Sequence, residues 1–235
     1  MRANTYIFPR CSTLIPLKGM LFIFSVTAFL WSPICSAVKF TGQVAIKNSA
    51  GLTDPLDIES VVIYLVSTKL KKNYKPPKFI PKIFQKDKAF IPLVLPVLKG
   101  TTVEFDNLDP YMHNVFSVSE TKSFDLGLYK LGDKGKQVTF EKSGVVSIYC
   151  NIHEQMMSFI LVLENPYFTT VDKSGKYTLD LGALPSGEYK LVAWYRFFGQ
   201  KVVDVKINSK EQSNVDFEFI KNENIDKDKL KLITN

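Results

Sequence analysis

Histidine is scarce in this chain: His113 and His153 are the only two among 235 residues. Two imidazoles cannot supply the additional His-x-His pairs that a multicopper oxidase uses, so that class is excluded. Cysteine is almost as rare, with Cys11, Cys35 and Cys150 the complete set. Three thiols leave no room for the disulfide framework that holds small secreted scaffolds together. The apolar stretch from Met20 to Trp31 has twelve residues, against about 20 for a membrane-crossing helix. No long apolar period of 3.6 residues runs through the chain, which argues against a helical bundle.

Acidic residues are absent from the first 37 positions, where Arg2, Arg10 and Lys18 precede the apolar stretch and Cys35-Ser36-Ala37 follows it. This is the pattern of a secretory signal peptide, 1–37, cut after Ala37. If it stays uncut, it anchors the rest of the chain outside the membrane on a tether. Ser32-Pro33-Ile34 before Cys35 is a poor lipoprotein signal. Cleavage leaves 27 basic against 23 acidic side chains, so the net charge falls from +7 to +4. That mild excess does not call for nucleic acid as a partner. The expected compartment is periplasmic or otherwise exported, and membrane contact is expected only if the leader is retained. Cys150 is then the lone cysteine of the mature chain. It is a free thiol, an intermolecular bridge, a buried small hydrophobe or a metal ligand, and the placing of the two histidines favours the ligand.

Short alternating apolar runs broken by Gly, Pro, Asn and Asp extend from Phe40 to Phe219, which predicts an all-β protein. Between Lys69 and Lys88 lie eight lysines, three prolines and one acid. That composition reads as a solvated linker or exposed edge, with a basic docking face as the alternative. Residues 166–220 alone are near the size at which one core becomes marginal. Adding the strands Thr41–Val44 and Val61–Leu65, on either side of a turn with Asn48 and Gly51, predicts a discontinuous β-sandwich. Its extent is 38–75 plus 166–220, with a second sandwich, 76–165, inserted, and 221–235 a polar tail. Trp194 is expected in the core of the first sandwich, with Tyr195 its neighbour.

The chemistry lies in the inserted part. Period-two alternation from Val145 puts Val146, Ile148 and Cys150 on one face, so the thiol points inward where the strand ends. Cys150-Asn-Ile-His153-Glu-Gln-Met156-Met157 follows, and His113 lies 37 positions upstream. A thiolate, two imidazoles and a distant thioether form the ligand set of a blue-copper electron-transfer centre. Such a set suits both Cu(I) and Cu(II). The spacing prefers Met156 over Met157 as the axial donor, and Met112 and Met157 read as core or rim side chains. A structural zinc site would want a stronger fourth ligand than a thioether.

Gly100-Thr-Thr-Val-Glu-Phe105, Asn107, His113-Asn-Val115 and Cys150-Asn-Ile-His153-Glu-Gln-Met156 together resemble the cupredoxin family. Within it, the short Cys-x-x-His-x-x-Met loop is similar to that of amicyanin-like, methylamine-utilisation-type periplasmic proteins. The resemblance spans Phe84 to Leu163 and implies a Greek-key sandwich holding one type-1 copper ion. It implies His113, Cys150 and His153 as equatorial ligands, Met156 as axial ligand, and Asn114 beside the thiolate, its backbone helping to hold the sulfur. Glu154 departs from the proline usual after the loop histidine, and an added anion there favours Cu(II) and lowers the potential. Gly42-Gln-Val44, Asp172-x-x-Gly175-x-Tyr177 and Pro185-x-Gly187-x-Tyr189-x-Leu191 resemble the carboxypeptidase-regulatory, transthyretin-like module. The combined resemblance implies a monomeric, non-enzymatic carrier of single electrons to and from a redox partner protein, exchanging through the edge of His153. Copper trafficking without a redox role is the alternative.

Overall fold

The computed structural model describes residues 38–48, 50–52, 58–70, 73–182, 184–196, 198–208 and 213–220. The expected signal segment and polar tail lie outside the described residues. The first strands are β1 Val38–Lys47, β2 Val62–Val66, β3 Lys82–Lys86, β4 Ala89–Ile91, β5 Val94–Leu98 and β6 Thr101–Asn107. Next come β7 His113–Ser119, β8 Lys122–Tyr129, β9 Lys136–Phe140, β10 Gly144–Tyr149 and β11 Met157–Leu163. The chain continues through β12 Phe168–Thr170, β13 Lys176–Gly182, β14 Gly187–Tyr195, β15 Gly199–Ile207, β16 Ser213–Asn214 and β17 Phe217–Ile220.

The protein is all-β, two sandwiches packed face to face. One sandwich pairs β5-β11-β10-β7-β8 with β4-β3-β6-β9. The other pairs β12-β2-β14-β15 with a sheet in which β1 lies between β13 and the parallel strands β16 and β17. Three apolar layers alternate with the four sheets. Phe105, Phe140, Val146, Ile148 and Ile160 fill the first sandwich; Phe40, Ile63, Leu65, Leu191 and Tyr195 fill the second. Between them lie Val62, Val94, Phe159, Leu161 and Leu163. Asn165, buried where the chain passes between sandwiches, donates its side-chain amide to the Leu65 carbonyl at 2.8 Å.

Two expectations are corrected. The lysine-rich stretch is not all linker: Lys82–Lys86 is an interior strand between β4 and β6, with Ile83 and Gln85 fully buried. Its lysines stand on the exposed positions at the strand ends, so the alternation survives the charge. Trp194 and Tyr195 exchange roles, because Tyr195 enters the second core while Trp194 faces the layer between the sandwiches.

Gly42 shows why a motif position needs glycine. The Val215 carbonyl, which accepts from the Tyr177 hydroxyl at 2.6 Å, lies where a Cβ on residue 42 would sit, at 1.9 Å. Gly42→Ala should therefore force β1 away from the 215–217 segment and destabilise the protein by about 1–3 kcal/mol, read from the midpoint of urea unfolding.

Candidate metal centre

Strand alternation carries Val146, Ile148 and Cys150 into the first core, where all three are buried. His113 opens β7, the neighbour of β10, and is also fully buried. His153 lies in the loop after Cys150 and is half-buried. One ligand atom from each of His113, Cys150 and His153 falls within 4.8 Å of the others. The two Nδ1 atoms are 3.1 Å apart, and Cys150 Sγ is 3.9 Å from His113 Nδ1. Metal–nitrogen bonds of about 2.0–2.1 Å and metal–sulfur bonds of about 2.3 Å place donors around one ion roughly 3–4 Å apart. The residues present therefore fit a single metal ion, and a soft thiolate with two imidazoles fits copper.

Met156 is buried in the same cluster as Cys150. Its backbone closes the loop: Cys150 N donates to the Met156 carbonyl at 3.3 Å, and Met156 N donates to the His153 carbonyl at 2.9 Å. Met157 points the other way, into the layer between the sandwiches. Met112 is exposed at the rim. Asn114 ties the loop through its side chain, its Oδ1 accepting from Asn151 N at 2.9 Å while its Nδ2 donates to Asp125 at 3.1 Å.

Asp109 is a residue the sequence reading missed. Its buried carboxylate sits 2.8 Å from His113 Nε2 and accepts from the backbone amides of Asp87 at 2.7 Å and Lys88 at 2.9 Å. Burial pushes the carboxyl upward, but the Lys88 amide, His113 and the Asp87 amide together outweigh it and hold its pKa below the ordinary aspartate range. The ionised carboxylate accepts a hydrogen bond from Nε2–H, so the ring proton stays on Nε2 and Nδ1 is left as a lone-pair donor facing Cys150 and His153. Among turn formers in the segment from Asp106 to Tyr111, nothing local distinguished Asp109 from a loop aspartate. Asn107 holds that loop, accepting from Asp109 N and donating to the carbonyls of Tyr111 and Tyr129.

Desolvation, then the His113 ring and Lys88, lower the His153 pKa from its ordinary value. The neutral, ligating form of His153 is thereby favoured at neutral pH. Exposed Leu108, Tyr111, Met112 and Ile152 lie on the segments next to His113 and between Cys150 and His153, and exposed Leu128 on β8 pairs with Asn114.

The chain is similar over 37% of its length to a copper-containing nitrite reductase from Thermus scotoductus SA-01, at 28% identity and a TM-score of 0.35, and it spans 23% of that enzyme. A purple cupredoxin from Nitrosopumilus maritimus is 26% identical over 35% of this chain and 99% of its own, with a TM-score of 0.32. A copper(I) amicyanin variant is 20% identical over 36% of this chain and 82% of its own, with a TM-score of 0.34. No family model matches the chain, and no curated protein matches it.

Replacing the carboxylate tests its part directly. Asp109→Asn should weaken metal binding about 10- to 100-fold, the usual cost of losing the hydrogen-bond partner of a ligating histidine. Competition against a chelator of known affinity measures it.

Proposed function

We propose that this protein is an exported type-1 copper protein that carries single electrons between redox partners. The observation that carries the reading is the convergence of His113 Nδ1, Cys150 Sγ and His153 Nδ1 beside the buried Met156. His113, Cys150 and His153 would hold the ion, with Met156 as the weak axial donor. Bound copper would supply a one-electron couple that changes oxidation state with little rearrangement of its ligands.

The protein's own groups serve that use. Asp109 fixes the His113 tautomer, and Asn114 and the two loop hydrogen bonds hold the Cys150–Met156 turn before any ion arrives. Cys150 and His113 are shielded from water, whereas His153 reaches the surface. The exposed apolar side chains at 108–112 and Ile152 provide a surface that a partner protein can dry on contact. We read the part around the site as an amicyanin-like, methylamine-utilisation-type cupredoxin sandwich, 76–165. We read the remainder, 38–75 plus 166–220, as a carboxypeptidase-regulatory, transthyretin-like sandwich with no chemistry of its own. The role is that of a carrier, with catalysis left to the partner.

Adding Cu(II) to the purified protein should produce an intense visible thiolate-to-copper band, which Cys150→Ser and His113→Ala abolish. Tight Cu(I) binding without colour would instead indicate copper trafficking. Met156→Leu should keep the band and raise the reduction potential, while Met157→Leu should leave the potential near wild type. Ile152→Glu should slow electron self-exchange, measured by NMR line broadening of mixed Cu(I) and Cu(II) samples, without changing the visible band.

A further inference from the structure

The metal loop runs directly into a strand whose two faces belong to different sandwiches. Ile160 and Val162 of β11 pack into the same core as Met156 and Cys150. Met157, Phe159, Leu161 and Leu163 of the same strand pack into the layer shared with the second sandwich. There the Trp194 ring of β14 meets Phe159 edge-on at 6.3 Å between centroids. Val62 of β2 is buried in that layer, and Tyr64 of β2 and Phe168 of β12 pack against it. β11 is held along its edges by β10 and by the parallel strand β5. Its outer face is turned to the second sandwich, whose Val62, Tyr64, Phe168 and Trp194 share that layer.

Successive side chains on an extended segment point to opposite faces, so seating one residue orients the next. Met157 and Met156 are such a pair, one seated between the sandwiches and the other in the core that holds Cys150. The residues between Cys150 and Met156 are largely exposed. Beyond the Asn114 tie at Asn151 and its two internal backbone bonds, the loop has little packing of its own, so the strands at its two ends set where it stands. We propose that the second sandwich is a positioning element for the metal site, with Trp194 clamping β11 through Phe159 and so setting where Met156 and the Cys150 loop stand. The consequence for the bound ion rests on the copper reading above; the clamp on the loop does not.

Two measurements on the full chain separate them. In metal-free protein, iodoacetamide labelling of Cys150 is followed site by site by mass spectrometry. In copper-loaded protein, the intensity ratio of the thiolate-to-copper bands and the reduction potential are recorded. Trp194→Ala should speed Cys150 labelling by at least roughly three- to tenfold, the equilibrium change expected from losing an edge-on aromatic contact, and should alter both the band ratio and the potential. Trp194→Phe, which keeps a ring against Phe159, should restore all three. Phe159→Leu, which keeps the layer apolar, should act in the same direction as Trp194→Ala and serves if that variant does not fold. Wild-type labelling, band ratio and potential in folded Trp194→Ala or Phe159→Leu, with only a lowered melting temperature, overturn the proposal. A wild-type chain that takes up no copper overturns the copper reading instead, and the labelling of Cys150 then decides the clamp by itself.

Discussion

A strand with an apolar side chain at nearly every position is stable in water only when both of its faces are covered. Strand β11 meets that condition by standing between the two sandwiches, with Met157 half-buried and every later residue through Leu163 buried. Phe159, Leu161 and Leu163 each contribute about 1.5–3 kcal/mol by leaving water, and all of that is gained at the joint between sandwiches rather than within either one. The four-sheet stack depends on this joint, since the outer face of β11 and the face of β2 and β14 carrying Val62 and Trp194 would otherwise be exposed apolar surfaces. Cys150 and Met156 stand on the inner side of the same wall.

A buried charge controls the chemistry of the site. The Asp109 carboxylate leaves water only because two backbone amides and an imidazole meet it, which is the condition for burying a charge without a large penalty. In doing so it chooses which nitrogen of His113 faces the thiol. Asn107 and Asn114, both buried, tie the loops that carry the two ends of the ligand set. Polar side chains here hold the geometry, and the surrounding Phe105, Val115, Ile148 and Ile160 exclude water from it.

Much of the fold was legible because alternation survives in strands with one wet face. Val146, Ile148 and Cys150 declare their common direction, and the unbroken run from Phe159 declares a strand buried on both sides. Alternation was hidden where composition spoke louder. Lys82 and Lys86 made β3 look like linker, although the two positions between them and Phe84, Ile83 and Gln85, are fully buried. Strand β8 is mostly wet, with Asp125 and Gly127 inside it, so the contrast between its faces is too low to mark it. Trp194 and Tyr195 could not be assigned to faces because both layers flanking β14 are apolar.

The donor inventory was determined by the sequence alone: the imidazoles of His113 and His153, the thiol of Cys150, and the thioethers of Met156 and Met157 after them. The direction of Cys150 was determined as well, because a side chain's face on a strand is set by local periodicity. Which atoms converge was decided by the tertiary structure. His113 Nδ1 rather than Nε2 faces the thiol because Asp109 occupies the other side, and Asp109 is placed by amides more than twenty residues away in the β3–β4 turn. Met156 rather than Met157 enters the core that holds Cys150 because β11 is shared between two sandwiches, one claiming each side chain. Both outcomes follow from pairings between distant segments, and local spacing carries no record of them.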